Sequence, residues 1–178
     1  AAARDIRSLD ALPPLPLTRK DDYISDPEAF RLRPEDLPAD FSAEERVLWD
    51  VTYTTGTTSG RPSPFYNTAH DAYAIWDQAR RCNEAEGLTA NDRVANLYPL
   101  AGFPTGAFLS VIRSTMIAGV PVVHGLTGSA NSEFKVRNSL ADALATVGRF
   151  RPTVLWGVPS FIRRFLDEAC RQGADFSD

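Results

Sequence analysis

From Val51 onward the chain alternates short apolar runs with longer amphipathic stretches. Ala72, Ile75, Trp76, Ala79 and Cys82 recur at helical spacing, which predicts a helix over Thr68 to Glu86 with those residues on its apolar face. Thr68 suits the N-cap, Asp71 places negative charge in the first turn, and Gly87 fits the stop position. The turn signal Asn91-Asp92 then leads into a strand, RVANLY. Gly106 to Ala118 reads as the next helix, with Phe108, Leu109, Ile112 and Met116 on its apolar face and Gly119 past its end. VPVVHG reads as a short buried strand and GLTGSANS as an exposed loop. A helix capped by Ser139 and running through Val147, a strand TVLWGV and a helix from Pro159 to Gln172 complete the run.

This alternation predicts an α/β fold in which strands and helices form a mostly parallel sheet. Ligands of such sheets bind beyond the carboxyl ends of the strands. The loops to watch are therefore 54–64, 98–106, 124–137 and 157–160. The start of the chain has a different pattern. Six of the thirteen prolines (Pro13, Pro14, Pro16, Pro27, Pro34 and Pro38) fall in the first forty residues, and each fixes φ and removes a backbone donor. Residues 1–50 are read as a proline-rich segment of short helices packing on the domain, one of them at Ser42–Asp50. Residues 51–178 are read as the α/β subdomain.

Composition narrows the classes. With 43% hydrophobic and 24% charged residues in 178, the chain has the make-up of a globular domain, not of a collagen, a coiled coil or a disordered segment. Its apolar runs are too short to cross a bilayer, and AAARDIRSLD lacks the apolar centre of a signal peptide. A net charge of −4 without a basic run makes nucleic acid an unexpected partner. Cys82 and Cys170 stand far apart in predicted helices, so a reduced, cytoplasmic setting is expected. His70 and His124 cannot form a zinc site without distant ligands, and no metal site is expected within the chain. His124, ending a strand, is read as structural or exposed. Asp71, Asp92, Asp142 and Asp167 are read as helix-end or surface charges.

The densest chemistry lies in VTYTTGTTSGRPSPFY, residues 51–66. Thr54, Thr55, Thr57, Thr58 and Ser59 supply hydroxyl donors around Gly56, and Gly60 and Arg61 follow. Glycines let successive N–H groups approach one anion, and an arginine offers a planar fork to phosphate. These parts suit a polyphosphate tail. A Walker loop, G-x-x-x-x-G-K-[ST], is excluded: only three residues separate Gly56 from Gly60, lysine is absent, and Pro62 and Pro64 follow. A Gly/Thr hairpin loop without a ligand remains open on these residues alone.

Tyr53 through Thr58 resemble the phosphate-binding loop of the adenylate-forming superfamily, Y-T-S-G-T-T-G-x-P-K-G, with Thr55 in place of Ser. DIRSLDALPPLPLTRKDDY, residues 5–23, is similar to the lead-in of phenylacetate–CoA ligases. RVANLYPLAGFPTGAF resembles the superfamily strand ending in Pro-Leu-x-His-x-x-G, and RPTVLWGVPSFIRRFLDEA its strand and helix with a Val-Pro junction. Four segments agree in order over nearly the whole chain. Two departures stand out: Ser59 is an extra residue before Gly60, and Ser63 occupies the place of the usual lysine. Phenylacetate-type ligases also tend to lack that lysine.

The resemblance implies an ATP-dependent carboxylic acid–CoA ligase, the acid being an aryl one. Its carboxylate attacks the α-phosphate of ATP to give an acyl-adenylate and pyrophosphate, and the thiol of coenzyme A then displaces AMP. Thr54, Thr55, Gly56, Thr57, Thr58, Ser59, Gly60 and Arg61 would hold the ATP phosphates. Phe103 would be the gate of the acyl pocket, with Gly106 beside it, and Trp156, Gly157, Val158 and Pro159 would form a wall. Phe103 as a core aromatic at a strand-to-helix turn, and Trp156 as core, stay open. The family's adenine and ribose groups, magnesium-binding carboxylate and catalytic lysine would lie beyond Asp178. The chain would then be the first half of an N-terminal domain, its 51–178 nucleotide- and acyl-binding subdomain incomplete, and inactive alone. The expected partners are a small carboxylic acid, ATP with Mg2+ and coenzyme A, with no membrane. Two alternatives remain: an adenylating enzyme that loads a carrier protein, and a non-catalytic nucleotide-binding module.

Overall fold

In the computed structural model of the chain, residues 8, 16–31, 33–43, 46–54, 60, 62–100, 106–127 and 138–174 are described. The chain divides into two compact units, Ala1–Asp36 and Leu37–Asp178. The first unit contains α1 (Lys20–Ser25) and two 3-10 turns, Pro27–Phe30 and Pro34–Asp36. Pro27 and Pro34 sit at the starts of those turns, where a missing N–H costs nothing. The Asp22 carboxylate accepts the Arg19 N–H at 2.8 Å, and Tyr23 meets Phe30 edge-on at 5.8 Å.

The second unit opens with an antiparallel hairpin, β1 (Leu48–Tyr53) and β2 (Pro64–Thr68). The helix expected at Ser42–Asp50 is therefore absent, because Leu48 onward pairs with a strand some twenty residues away instead. Thr68 ends β2 and caps α2 (Ala69–Glu86): its hydroxyl accepts the Asp71 N–H while the Asp71 carboxylate accepts the Thr68 N–H. Gly87 terminates the helix at φ 74°, a conformation that side chains with a Cβ resist.

A three-stranded parallel sheet follows, in the order β4-β3-β5, from Val94–Asn96 (β3), Val122–His124 (β4) and Val154–Trp156 (β5). α3 (Gly106–Ala118), α4 (Leu140–Phe150) and α5 (Pro159–Arg171) connect and cover it. The parallel α/β expectation is met. Strand alternation divides the core into two faces. Ala95, Leu97 and Leu155 pack with α4 and α5 against Leu144, Val147 and Phe165. Val94, Val122, Val154 and Trp156 pack with Val111 of α3 on the other face. The helix bounds of α2 and α3 match the sequence pattern, and Phe108 is buried as expected, with Ala72, Ile75, Ala79, Leu109 and Ile112 half-buried. Trp76, Cys82 and Met116 are exposed instead, whereas Asn83, Val111 and Thr115 are buried. Val122–His124 are half-buried at the sheet edge while Val120 before them is buried, and Gly125 and Thr127, expected in an exposed loop, are buried.

Candidate functional site

Two places in the second unit bear on function: the loop of the β1–β2 hairpin and the carboxyl ends of the three parallel strands. At the hairpin, the Thr54 N–H donates to the Ser63 carbonyl and the Ser63 N–H donates to the Thr54 hydroxyl oxygen, both at 3.1 Å. This double bond of backbone and side chain clasps the base of the loop. Ser63, at the position of the superfamily's lysine, is only 6% exposed. It serves as the far half of the clasp. Gly60 adopts φ 70° inside the loop, a left-handed turn that favours glycine. Thr55, Gly56, Thr57, Thr58, Ser59 and Arg61 lie outside the described residues. The hairpin is tied to the rest of its unit by an ion pair of 2.7 Å between Asp50 on β1 and Arg113 on α3, both half-buried.

At the sheet, Asn96, His124 and Trp156 end their strands side by side in register. The turns beyond them are closely packed. Leu97 is fully buried, and its N–H donates to the Trp156 carbonyl at 2.7 Å. It sits between two glycines. A Cβ on Gly157 would stand 3.0 Å from the Leu97 Cβ, and one on Gly125 would stand 3.1 Å from Leu97 Cδ2. Close packing at this junction thus favours glycine at 157. Val158 and Pro159 are exposed, and Pro159 begins α5 with its fixed φ. Gly106 begins α3, and Phe103 lies outside the described residues.

Trp156 and Tyr98 line a cleft of about 160 Å3 with Cys82 and Glu86 from α2 and Ser110, Val111 and Ser114 from α3. That is small beside the several hundred Å3 of a usual ligand site. Nearby, Asn83 Nδ2 donates to the Ser114 carbonyl at 2.9 Å and joins the two helices.

The sequence pattern did not single out Asn96. It is wholly buried: Oδ1 accepts the Tyr98 N–H and Nδ2 donates to the Phe108 carbonyl, both at 3.2 Å. Nδ2 also lies 3.3 Å from His124 Nδ1. The His124 ring packs on Phe108 with centroids 5.1 Å apart, and burial holds its pKa below the ordinary histidine value. The available signal was a polar residue inside an apolar strand, VAN. Among the described residues no group of three or more His, Cys, Asp or Glu could hold a metal ion, and no helix is long and apolar enough to cross a membrane.

No family model matches the chain, and no curated protein matches it in sequence. Solved structures do. An open conformation of 2-hydroxyisobutyryl-CoA ligase with 2-HIB-AMP and CoA superposes with a TM-score of 0.63 at 17% identity, covering 89% of this chain and 33% of that one. The same ligase in its thioesterification state gives 0.64 at 17% identity, covering 89% and 30%. An o-succinylbenzoate CoA synthetase from Bacillus subtilis gives a weaker 0.48 at 20% identity, covering 85% and 37%. The chain spans about a third of the length of the 2-hydroxyisobutyryl-CoA ligase chains it matches. Its α/β fold, with a three-stranded parallel sheet and flanking helices, is shared with part of the 2-hydroxyisobutyryl-CoA ligase chain.

Proposed function

We propose that the chain is part of an AMP-forming carboxylic acid–CoA ligase of the phenylacetate type. The observation that carries this reading is where the motif falls in the fold. The segment whose residues resemble a phosphate loop, Tyr53–Arg61, is held at its base by the Thr54–Ser63 clasp. Two independent likenesses support it. One is the four sequence segments; the other is the fold shared with a ligase crystallised with its acyl-adenylate and CoA.

In this reading the loop's N–H and hydroxyl groups, with Arg61, hold the β- and γ-phosphates while the carboxylate attacks the α-phosphate. The donors act by position and by neutralising charge. Thr54 takes a double part: its oxygen accepts the Ser63 N–H, and its hydroxyl proton stays available to a phosphate. Mg2+ arrives with ATP and shields its phosphates. Phe103 and Trp156 border the acyl group, and an aryl acid suits those aromatic neighbours. The enzyme works in the cytoplasm.

The test uses the complete gene product and a panel of acids scored by pyrophosphate release. Aryl acids are expected to give turnover, with CoA as the acceptor. Replacing Gly56 or Thr57 by a bulky residue is expected to lower the rate about 10²–10³-fold, the scale of losing one oriented donor. An unchanged rate would remove the phosphate role. The 178-residue chain alone is expected to catalyse no ATP–pyrophosphate exchange with any acid.

A further inference from the structure

The geometry points to His124 as a hydrogen-bond donor, through Nε2–H, to the carboxylate or carbonyl oxygen of the acyl ligand, with Asn96 as the residue that sets its tautomer. This rests on the ligase reading above. The argument starts from Asn96, whose amide could in principle sit either way round. Here its partners decide the orientation. Oδ1 faces a backbone N–H, from Tyr98, and Nδ2 faces a backbone carbonyl, of Phe108. A flipped amide would set donor against donor and acceptor against acceptor. The second Nδ2 hydrogen is then left for His124 Nδ1 at 3.3 Å, which must accept it. A neutral imidazole that accepts at one nitrogen carries its proton on the other.

The proton therefore sits on Nε2 of a ring held by Asn96 at Nδ1 and packed on Phe108. Among the described residues no group bonds Nε2. His124 ends β4 at the carboxyl edge of the parallel sheet, where ligands of such folds bind. A neutral donor suits an oxygen that gains negative charge as a thiol adds to its carbonyl. It strengthens with that charge and brings no fixed cation to hold the free acid too tightly. The imidazolium form is disfavoured twice, by burial and by the donor aimed at Nδ1.

Two measurements test this. The first is nitrogen–proton correlation spectroscopy of the 15N-labelled chain. It has two histidines, and a His70→Gln variant assigns them. At neutral pH the His124 proton is expected on Nε2; a proton on Nδ1 overturns the inference. Asn96→Asp replaces the donor by an acceptor and is expected to move the proton to Nδ1. An unmoved proton removes the role given to Asn96.

The second measurement uses the complete gene product with the best acid of the panel. His124→Phe is expected to lower kcat/KM for the acid about tenfold, the worth of one hydrogen bond, and to leave KM for ATP unchanged. His124→Gln, which keeps an N–H donor, is expected to restore most of the loss. A rise in KM for ATP alone assigns the donor to a phosphate oxygen and overturns the acyl assignment. No change in either constant overturns the ligand role, while the loop variants still decide the phosphate reading separately. If no acid is turned over, the ligase reading and the acyl assignment fall together, and the tautomer stands by itself.

Discussion

The hairpin loop and the carboxyl ends of the sheet are built by opposite means. The base of the loop is held by two hydrogen bonds between Thr54 and Ser63, and β1 is anchored to α3 by the Asp50–Arg113 pair. The sheet ends are held by close packing: Leu97 wedged between Gly125 and Gly157, and a buried Asn96 with its amide fully engaged. A segment fastened locally can move without disturbing the core, as a loop that takes up and releases a ligand must. Groups that position reacting atoms gain from rigidity. The difference separates residues whose loss should unfold the unit from those whose loss should loosen one segment.

The largest expected effect is at the wedge. Leu97→Ala removes a fully buried side chain that links the turns after β3 and β5, and is expected to cost about 2–5 kcal/mol in urea unfolding. Gly157→Ala presses a methyl against Leu97 and Ile162 and is expected to cost about 1–3 kcal/mol. Gly125→Ala is expected to cost less, because its nearest contact is the end of a side chain that can shift. Thr54→Val removes the acceptor of the clasp and is expected to cost only about 1 kcal/mol globally. Its signature is local, as faster amide exchange at Ser63 that Thr54→Ser prevents. If Thr54→Val destabilised the unit as much as Leu97→Ala, the contrast between the two regions would be gone.

The smallest expected effect depends on pH. Burial lowers the His124 pKa in the folded protein, so the unfolded chain takes up its proton first, near about pH 6.5. The contribution to stability is complete above that pH. It falls as pH drops toward the lower folded value and levels off below it. Urea midpoints of the parent and His124→Gln, compared across this window, isolate the contribution from other titrating groups. Equal slopes for the two proteins would show that His124 is not shifted.

Local signals carried much of this architecture. The ends of α2 were legible because Thr68, Asp71 and Gly87 make bonds with near neighbours. The faces of α2 and α3 depart in part from the apolar pattern because polar residues fill their seam. Asn83 bonds the Ser114 carbonyl across it, and Thr115 turns its hydroxyl back onto the Val111 carbonyl. Apolarity alone therefore pointed to Trp76 and Met116, which face outward. β1 was hidden because Ser42 and Glu45 imitate a capping box, while the strand owes its existence to pairing with β2. At the site, the residue types of the 54–61 loop were legible. Its closure by Ser63 was not, since nothing in a serine announces a buried backbone clasp. The Asn96–His124 pair joins residues 28 positions apart, beyond the reach of local pattern.

The clasp also has a consequence in time. Thr54 and Ser63 are nine residues apart, whereas the bond from Arg93 to Thr153 that brings β5 beside β3 spans sixty. Closing the longer loop costs about 1.7 kcal/mol more chain entropy. A hairpin forms in about 1–10 μs. The β1–β2 hairpin can thus form early, with the parallel strands assembling afterwards. If the hairpin is already formed when the parallel strands assemble, Thr54→Val should slow folding by nearly the whole of its equilibrium cost, about fivefold, and leave unfolding unchanged.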